Sequence, residues 1–231
     1  LTLARTLRPH AAFFAWVSDH DIWHPYWLEA LVAELEADPV AVLAYPLFLK
    51  VSDRGQPLGP GGWQFETARL ADGHRRFRRV MWDMSAGNMI YGLFRAKTLD
   101  KVGGQRRTLL PDRLLIAEAS LHGRFRQVPE FFWCRRHQRG LFSIERQRRS
   151  LFGDRPPLWS RVPWSLSHPC FLAWSFGVHG EGRPDIDRLA GWTYAAETLG
   201  VGLLVHLRHI WRRLRKNHLP RLVGWWTRVR L

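Results

Sequence analysis

The sequence predicts an α/β protein with a mixed, partly doubly wound sheet and a helical, basic C-terminal appendage. Three observations predict this class: an aromatic apolar run at 12–17, a helical pattern at 26–37 and a long apolar run at 40–52. A strand, a helix and a strand in this order form half of a doubly wound arrangement. The composition changes near residue 150, which divides the chain into an α/β domain, 1–149, and a mainly helical appendage rich in Trp and Arg, 150–231.

The first three elements follow from local patterns. The run AFFAWV, 12–17, is typical of a short strand buried on both faces. A helix follows, because Pro25 suits a helix start and apolar residues recur at helical spacing until Asp38-Pro39 ends it. The run VAVLAYPLFLKVS, 40–52, then predicts a second strand that ends at a DRGQP turn.

The downstream elements are predicted in the same way. Residues 53–79 are rich in Gly, Pro and Arg and indicate an exposed excursion with one short helix. The segment 89–104 changes from a strand to a short helix that ends at two glycines. Residues 112–123 form an amphipathic helical pattern with Gly123 as its stop, and the following strand, RFRQVPEFFWCRRH, ends in basic residues.

The charge and the cysteine content limit the function classes. The net charge of +15 lies downstream: residues 1–70 carry 8 acids and 5 Lys or Arg, and the remainder carries 12 acids and 30 basic residues. Such a chain attracts polyanions, whether nucleic acid, anionic lipid or a diphosphate. Cys134 and Cys170 are too few for a disulfide framework. With no signal peptide pattern and no apolar run of roughly 18 residues, we expect a cytoplasmic protein, peripheral at most on the inner face of the membrane.

Two aspartates separated by one residue follow the first predicted strand. Asp19 and Asp21 occupy the carboxyl end of that strand, where ligands of open α/β sheets gather. Two carboxylates in an extended loop can converge on a hard divalent cation, which in turn can bridge a diphosphate. The alternative is a solvated turn that caps the next helix. His20 and His24 also lie nearby, but Pro25 makes a shared helical zinc face improbable.

The two aspartates lie within the segment FFAWVSDHDIWHPYWLEALVAELEADPVAVLAYP. This segment resembles the region around the D-x-D motif of family 2 glycosyltransferases, where the motif ends a strand and a W-x-P-x-x-L helix start follows. The likeness continues through AGNMIYGLFRAKTLDKVGG and PDRLLIAEASLHGRFRQVPEFFWCRRH, and it covers roughly residues 5–140. The resemblance implies a GT-A fold, a nucleotide-diphosphate-sugar donor, a Mg²⁺ or Mn²⁺ ion, a saccharide or lipid-linked acceptor and inversion at the anomeric carbon.

Matching positions imply roles for three acids. Asp19 and Asp21 would hold the donor and the metal ion, with Asp21 the preferred metal ligand. Asp112 matches the last acidic motif and would be the general base that deprotonates the acceptor hydroxyl. The alternative for Asp112 is a cap on a helix that begins at Arg113.

Basic residues after the closing strand are candidates for the donor side. Arg135, Arg136 and His137 could neutralise the charge that develops on the diphosphate. The alternative is a solvated basic loop. The Q-x-x-R-W sequence common in this part of the family is absent, which argues against a processive polysaccharide synthase.

The segment WDMSAGNMIYG, 82–92, is the candidate acceptor site. Trp82, Asp83, Gly87 and Asn88 could line it, with Gly87 permitting a close approach of the backbone. The alternative is that Asp83 and Asn88 serve turn geometry only.

Three further expectations bear on function. The opening strand, helix and strand of the family, which grip the base and ribose, would precede Leu1, so we expect an N-terminally truncated GT-A domain with weak or no transferase activity by itself. A non-catalytic relative and a basic nucleic-acid-binding module remain as alternatives, although no recognised nucleic-acid-binding motif occurs. Residues 201–231 carry 8 Lys or Arg and no acid, interleaved with Leu and Trp. This composition predicts an interfacial helix on an anionic membrane, or else a helix docked on the catalytic domain.

Overall fold

The chain forms two compact units, divided between Ser160 and Arg161. The computed structural model describes residues 2–61, 65–83, 86–136, 143–174, 196 and 198–212. The first unit contains the predicted α/β elements, and the second contains the helices of the C-terminal region. A helix, Ile144–Phe152, spans the domain boundary drawn at 149/150 from the sequence and belongs to the first unit.

A mixed sheet organises the first unit. Its six strands, within the described residues, are β1 (Phe13–Ala15), β2 (Ile22–Trp23), β3 (Ala41–Val51), β4 (Pro57–Gly61), β5 (Leu93–Arg95) and β6 (Arg124–Arg136). The order is β1-β5-β3-β6-β2, and β4 pairs with β3 outside this path. Strands β3 and β6 are parallel, and the other pairs are antiparallel. The predicted α/β class with a mixed sheet is therefore confirmed.

Helices accompany the strands along the whole unit. They are α1 (Thr2–Leu7), α2 (Trp27–Ala37), α3 (Gly73–Asp83), α4 (Ala86–Met89), α5 (Ala96–Val102), α6 (Pro111–His122) and α7 (Ile144–Phe152). A 3-10 turn, Leu158–Arg161, lies at the division between the units. The second unit contains α8 (Trp164–Trp174) and a helical stretch at 198–212. No helix in the described part of the chain is both long enough and apolar enough to span a bilayer.

The central strand β3 confirms the prediction for residues 40–52. It is buried along most of its length because it has strands on both sides and α2 packs onto it. Leu31 and Leu35 of α2 form a buried cluster with Ala44 and Leu93. The ladder between β3 and β6 shifts register beside Pro46, whose nitrogen cannot donate a hydrogen bond.

The first predicted strand differs from expectation. We predicted a strand buried on both faces, but every residue of β1 is partly exposed. The reason is its position: among the described residues β1 pairs only with β5, at the end of the strand order. The chain then leaves the sheet, and Val17 is mostly exposed.

Two helices are more deeply buried than their sequences indicate. The excursion predicted at 53–79 contains most of α3, in which Phe77 and Val80 are fully buried. Helix α6 was expected to be amphipathic, but residues 114–121 are buried without interruption. Helices α3, α4 and α5 and strand β3 all pack against α6, so it has no wide solvent face.

A buried arginine joins these two helices. Arg76 of α3 donates hydrogen bonds from Nε to the carbonyl of Ser120 at 2.8 Å and from an Nη to that of Leu121 at 3.2 Å. It also donates to the carbonyls of Leu70 and Ala71. The last carbonyls of a helix lack partners within the helix, so the guanidinium satisfies groups that burial would otherwise leave unpaired. This arrangement explains how an Arg-rich segment is part of the core.

Gly123 ends α6, as predicted, and the structure has no room for a side chain at this position. Its φ of 179° is accessible to any residue, but a Cβ here would overlap the carbonyl oxygen of Val40 and the side chain of Val42.

We expect Gly123→Ala to lower the free energy of unfolding by about 2–4 kcal/mol, because the backbone at Val40 cannot move aside at low energetic cost. Urea denaturation measures this. Gly200→Ala, where an added Cβ meets nothing within 4 Å, is the control and should cause no loss; equal losses would contradict the packing explanation.

Candidate functional site

An open cavity of about 420 Å³ lies in the first unit. Six parts of the chain line it: the loop after β1 with Trp16, the turn before β5 with Tyr91, the connection after α5 with Gln105, the start of α6, the end of β6 with Arg135, and α7 with Gln147. The residues contributed by α6 include Asp112, the predicted general base. The cavity therefore combines aromatic walls with charges of both signs.

Asp112 lies in the first turn of α6. The helix begins at Pro111 rather than at Arg113, and the N-cap position is Leu110, so Asp112 is not the N-cap residue. Burial raises the pKa of the Asp112 carboxyl, while the charge of Arg113, backbone hydrogen bonds at residues 112 and 113, and the charge of Arg135 oppose the rise. A carboxyl with this environment is a stronger base than an exposed aspartate once it is deprotonated.

An unusual backbone conformation precedes Asp112. Leu110 has φ 53° and ψ 53°, the left-handed region, and is the one non-glycine residue with positive φ among those described. Its N–H donates a hydrogen bond to Oε1 of Gln147 in α7 at 3.0 Å. Leucine adopts this conformation at a cost, which the surrounding contacts must offset. The turn brings Leu110, Pro111, Asp112 and Arg113 to the cavity wall, so the N-terminus of α6 lies there.

Arg135 and Tyr91 link the cavity to the aspartate loop, the segment 16–21 between β1 and β2 that contains Asp19 and Asp21. An Nη of Arg135 donates to Oδ1 of Asn88 at 3.2 Å, and its guanidinium lies 5.8 Å from the ring centroid of Trp133. Burial raises the pKa of Tyr91; Arg135 opposes this rise, and the charges of Asp21, Asp112 and Asp19 add to it. Tyr91 thus lies within electrostatic reach of all three predicted acids.

Asp21 is held by the end of β6. Its side chain is only 2% exposed. Oδ2 accepts a hydrogen bond from Nε1 of Trp133 at 3.0 Å, and Oδ1 accepts one from the backbone N–H of Arg136 at 2.9 Å. Strand β2 pairs with β6 at the same place, where Ile22 lies opposite Cys134. Asp21 therefore joins the loop after β1 to the strand that carries Arg135.

Asp19 has the opposite environment. Its side chain is fully exposed, and its Oδ1 lies 3.1 Å from Nδ1 of His20. Nε2 of His20 lies 3.8 Å from Oδ1 of Asp21, so His20 stands between the two carboxylates. Among the described residues no three His, Cys, Asp or Glu side chains form a group that could hold a metal ion. A divalent ion bound at Asp19 would have to take its other ligands from a diphosphate and water, because both oxygens of Asp21, the metal ligand preferred from the sequence, already accept N–H donors.

The basic residues predicted for the donor side differ in their contacts. The Arg135 side chain reaches the cavity, as described above. The side chain of Arg136 donates instead to the carbonyl of Asp53 at 3.0 Å, and the described lining of the cavity does not include it. His137 lies outside the described residues.

The predicted acceptor residues occupy two helices. Trp82 is exposed near the end of α3, and Asp83 pairs with Arg79 of the same helix at 2.9 Å. Asn88 is buried in α4 and contacts Arg135, while Gly87 belongs to the same short helix. The described lining of the cavity includes none of the four. Asn88 is the member with a direct link to it, through Arg135.

Sequence reasoning did not single out several cavity residues, namely Trp16, Tyr91, Arg113 and Gln147, although Tyr91 lies in the predicted acceptor segment 82–92. Trp16, Tyr91 and Arg113 fall inside the segments that carry the family resemblance, but they have no motif of their own. Gln147 lies outside those segments. It reaches the cavity only because α7 packs beside the start of α6, which no local pattern indicates.

Stacked aromatic rings support the end of β6. The rings of Trp23 and Trp133 stack at 5.2 Å with an interplanar angle of 2°, and Tyr91 lies 5.0 Å from Trp133. Trp133 is almost completely buried, and Phe48 packs on it from β3. These contacts fix the strand whose next residues present Arg135 and hold Asp21.

No protein-family model matches the chain, and no curated protein matches it. The choice of function therefore depends on the residues of the cavity and of the aspartate loop.

Proposed function

We propose that this protein is a GT-A-type glycosyltransferase that moves a sugar from a nucleotide-diphosphate donor to a hydroxyl acceptor with inversion. One observation carries the proposal: a partly buried carboxyl with a raised pKa, Asp112, shares a cavity with Arg135 and a helix N-terminus, within electrostatic reach of the aspartate loop. The mixed α/β sheet is compatible with this fold.

The donor side must stabilise a diphosphate. Arg113 and Arg135 supply positive charge at the cavity, and the dipole of α6 adds a partial positive charge at its N-terminus. Trp16 and Tyr91 offer ring faces for the sugar or the base. Asp19 would hold a Mg²⁺ or Mn²⁺ ion together with the diphosphate, and the bound ion would neutralise charge on the leaving group.

The reaction would place Asp112 beside the acceptor hydroxyl. Its carboxylate takes the hydroxyl proton while the acceptor oxygen forms a bond to the anomeric carbon. The bond from that carbon to the diphosphate breaks on the opposite face, and its electron pair leaves with the diphosphate, so the configuration inverts. A general base contributes about 10²–10⁴-fold when its pKa approaches the working pH, and the raised pKa of Asp112 favours this role.

Binding of nucleoside diphosphates tests the proposal, and this test does not require a measurable rate of sugar transfer. We expect one or more of a panel of nucleoside diphosphates to bind the 231-residue chain in calorimetric titrations with Mg²⁺ or Mn²⁺. Arg135→Ala should weaken this binding at least tenfold, because it removes a cation from the cavity. The matched control, Arg54→Ala, removes a charge from the exposed turn before β4 and should change little. Absence of binding, or equal losses in both variants, would contradict the proposal.

A further inference from the structure

The helical stretch at 198–212 has a continuous exposed apolar face. Leu204 and Trp211 are 57% and 58% exposed, and the other apolar members are also more than one third exposed. The face consists of Leu199, Leu203, Leu204, Leu207, Ile210 and Trp211. At 3.6 residues per turn these positions fall within an arc of about 140°. Gly200 is the remaining residue in the arc, so the face contains no charged side chain.

The other side of this helix packs on α8. Val201 and Val205 are buried, and a Cβ at Gly202 would lie 2.7 Å from the carbonyl oxygen of Ser165. The Ser165 hydroxyl also lies 3.0 Å from Nδ1 of His206. The same Cβ would overlap Cγ of Pro169 in α8, so the absence of a side chain at Gly202 permits the close approach of the two helices. The apolar arc is therefore separate from the packing contacts with α8.

Charge indicates what the face binds. Arg208 and the exposed Arg212 are part of this helix and lie beside the apolar arc. Residues 201–231 carry 8 Lys or Arg and no acid. Two copies that paired through this face would bring two such basic segments together, which like-charge repulsion opposes. An anionic bilayer offers both an apolar interior and a complementary surface charge. Trp211, at the edge of the arc, is a residue type that favours the boundary between them.

We propose that the 198–212 face inserts into the headgroup boundary of an anionic membrane, with the helix lying in the membrane plane. The apolar arc enters the lipid, while α8 and the arginine flank stay on the aqueous side. This interaction does not depend on the glycosyltransferase proposal, because none of its residues belongs to the cavity.

Vesicle flotation of the full chain tests this inference. We expect the protein to float with vesicles of phosphatidylcholine and phosphatidylglycerol at 3:1, and to float at least tenfold less with phosphatidylcholine alone or in high salt. Leu203→Glu/Leu207→Glu should reduce binding to the anionic vesicles at least tenfold. The control is Leu158→Glu, at a leucine that is 79% exposed outside this face, and it should bind like the unaltered chain.

Three results would overturn the inference. The first two are no flotation of the unaltered chain and equal flotation of the double variant. The third is that the unaltered chain forms a dimer and binds no lipid, while the double variant is a monomer. Light scattering after gel filtration detects the last of these. The single variant Leu204→Glu is a second test that disturbs less of the surface, and it should weaken flotation as well. Nucleoside diphosphate binding should be the same in all these variants, which separates this inference from the proposed function.

Discussion

Asp112→Asn is expected to reduce sugar transfer by about 10²–10⁴-fold while leaving nucleoside diphosphate binding intact. The asparagine keeps an oxygen that can accept the backbone N–H groups at the start of α6, but it cannot take a proton from the acceptor. It also removes a negative charge from a cavity that receives an anion, so diphosphate binding should stay equal or tighten. Release of nucleoside diphosphate from sugar donors over long incubations measures the first effect, and calorimetry measures the second.

The same carboxyl predicts a pH dependence. Burial raises the pKa of Asp112, so the rate should fall on acidification at a higher pH than an exposed aspartate would give. A carboxyl whose pKa is raised by folding contributes stability below its unfolded pKa, and this contribution is lost as the pH rises through the folded value. At neutral pH Asp112→Asn should therefore not destabilise the fold. Loss of stability together with loss of transfer would indicate a structural role and contradict catalysis by Asp112.

Asp21→Ala is expected to lower the free energy of unfolding by about 2–4 kcal/mol. The substitution leaves Nε1 of Trp133 and the backbone N–H of Arg136 without their acceptor in a buried place. Asp21→Asn should cost less, because its one carbonyl oxygen can still accept one of the two donors. Urea denaturation at neutral pH measures both losses.

Asp19 provides the matched comparison. Its side chain is fully exposed, so Asp19→Ala should leave stability unchanged and instead weaken metal-dependent binding of the diphosphate. Similar stability losses for Asp19→Ala and Asp21→Ala would show that the two carboxylates share one role. The expected contrast assigns ligand binding to Asp19 and anchoring of β6 to Asp21.

Local patterns predicted much of the sheet. The long apolar run became β3, the run after Gly123 became β6, and the Gly103 turn ended α5 with φ 73°. These elements are specified by periodicity and by glycine, which act over a few residues. The α/β class followed from their order.

The site could not be predicted to the same extent, because distant residues build it. Asp21 accepts a hydrogen bond from Trp133, which is 112 positions away in the sequence, and Gln147 accepts one from Leu110, which is 37 positions away. The basic composition around Arg76 indicated exposure, although its guanidinium is buried against helix carbonyls. Such pairings depend on tertiary structure, so the sequence indicated Asp112 as a candidate but not its neighbours in the cavity.

Hydrogen–deuterium exchange with and without a bound nucleoside diphosphate tests the central claim, that the Asp112 cavity is the donor site. The ligand should slow exchange at the start of α6, at the end of β6 and in the loop of Asp19 and Asp21, and Arg135→Ala should abolish this protection. Protection confined to other parts of the chain, such as the 198–212 helix, would contradict the claim.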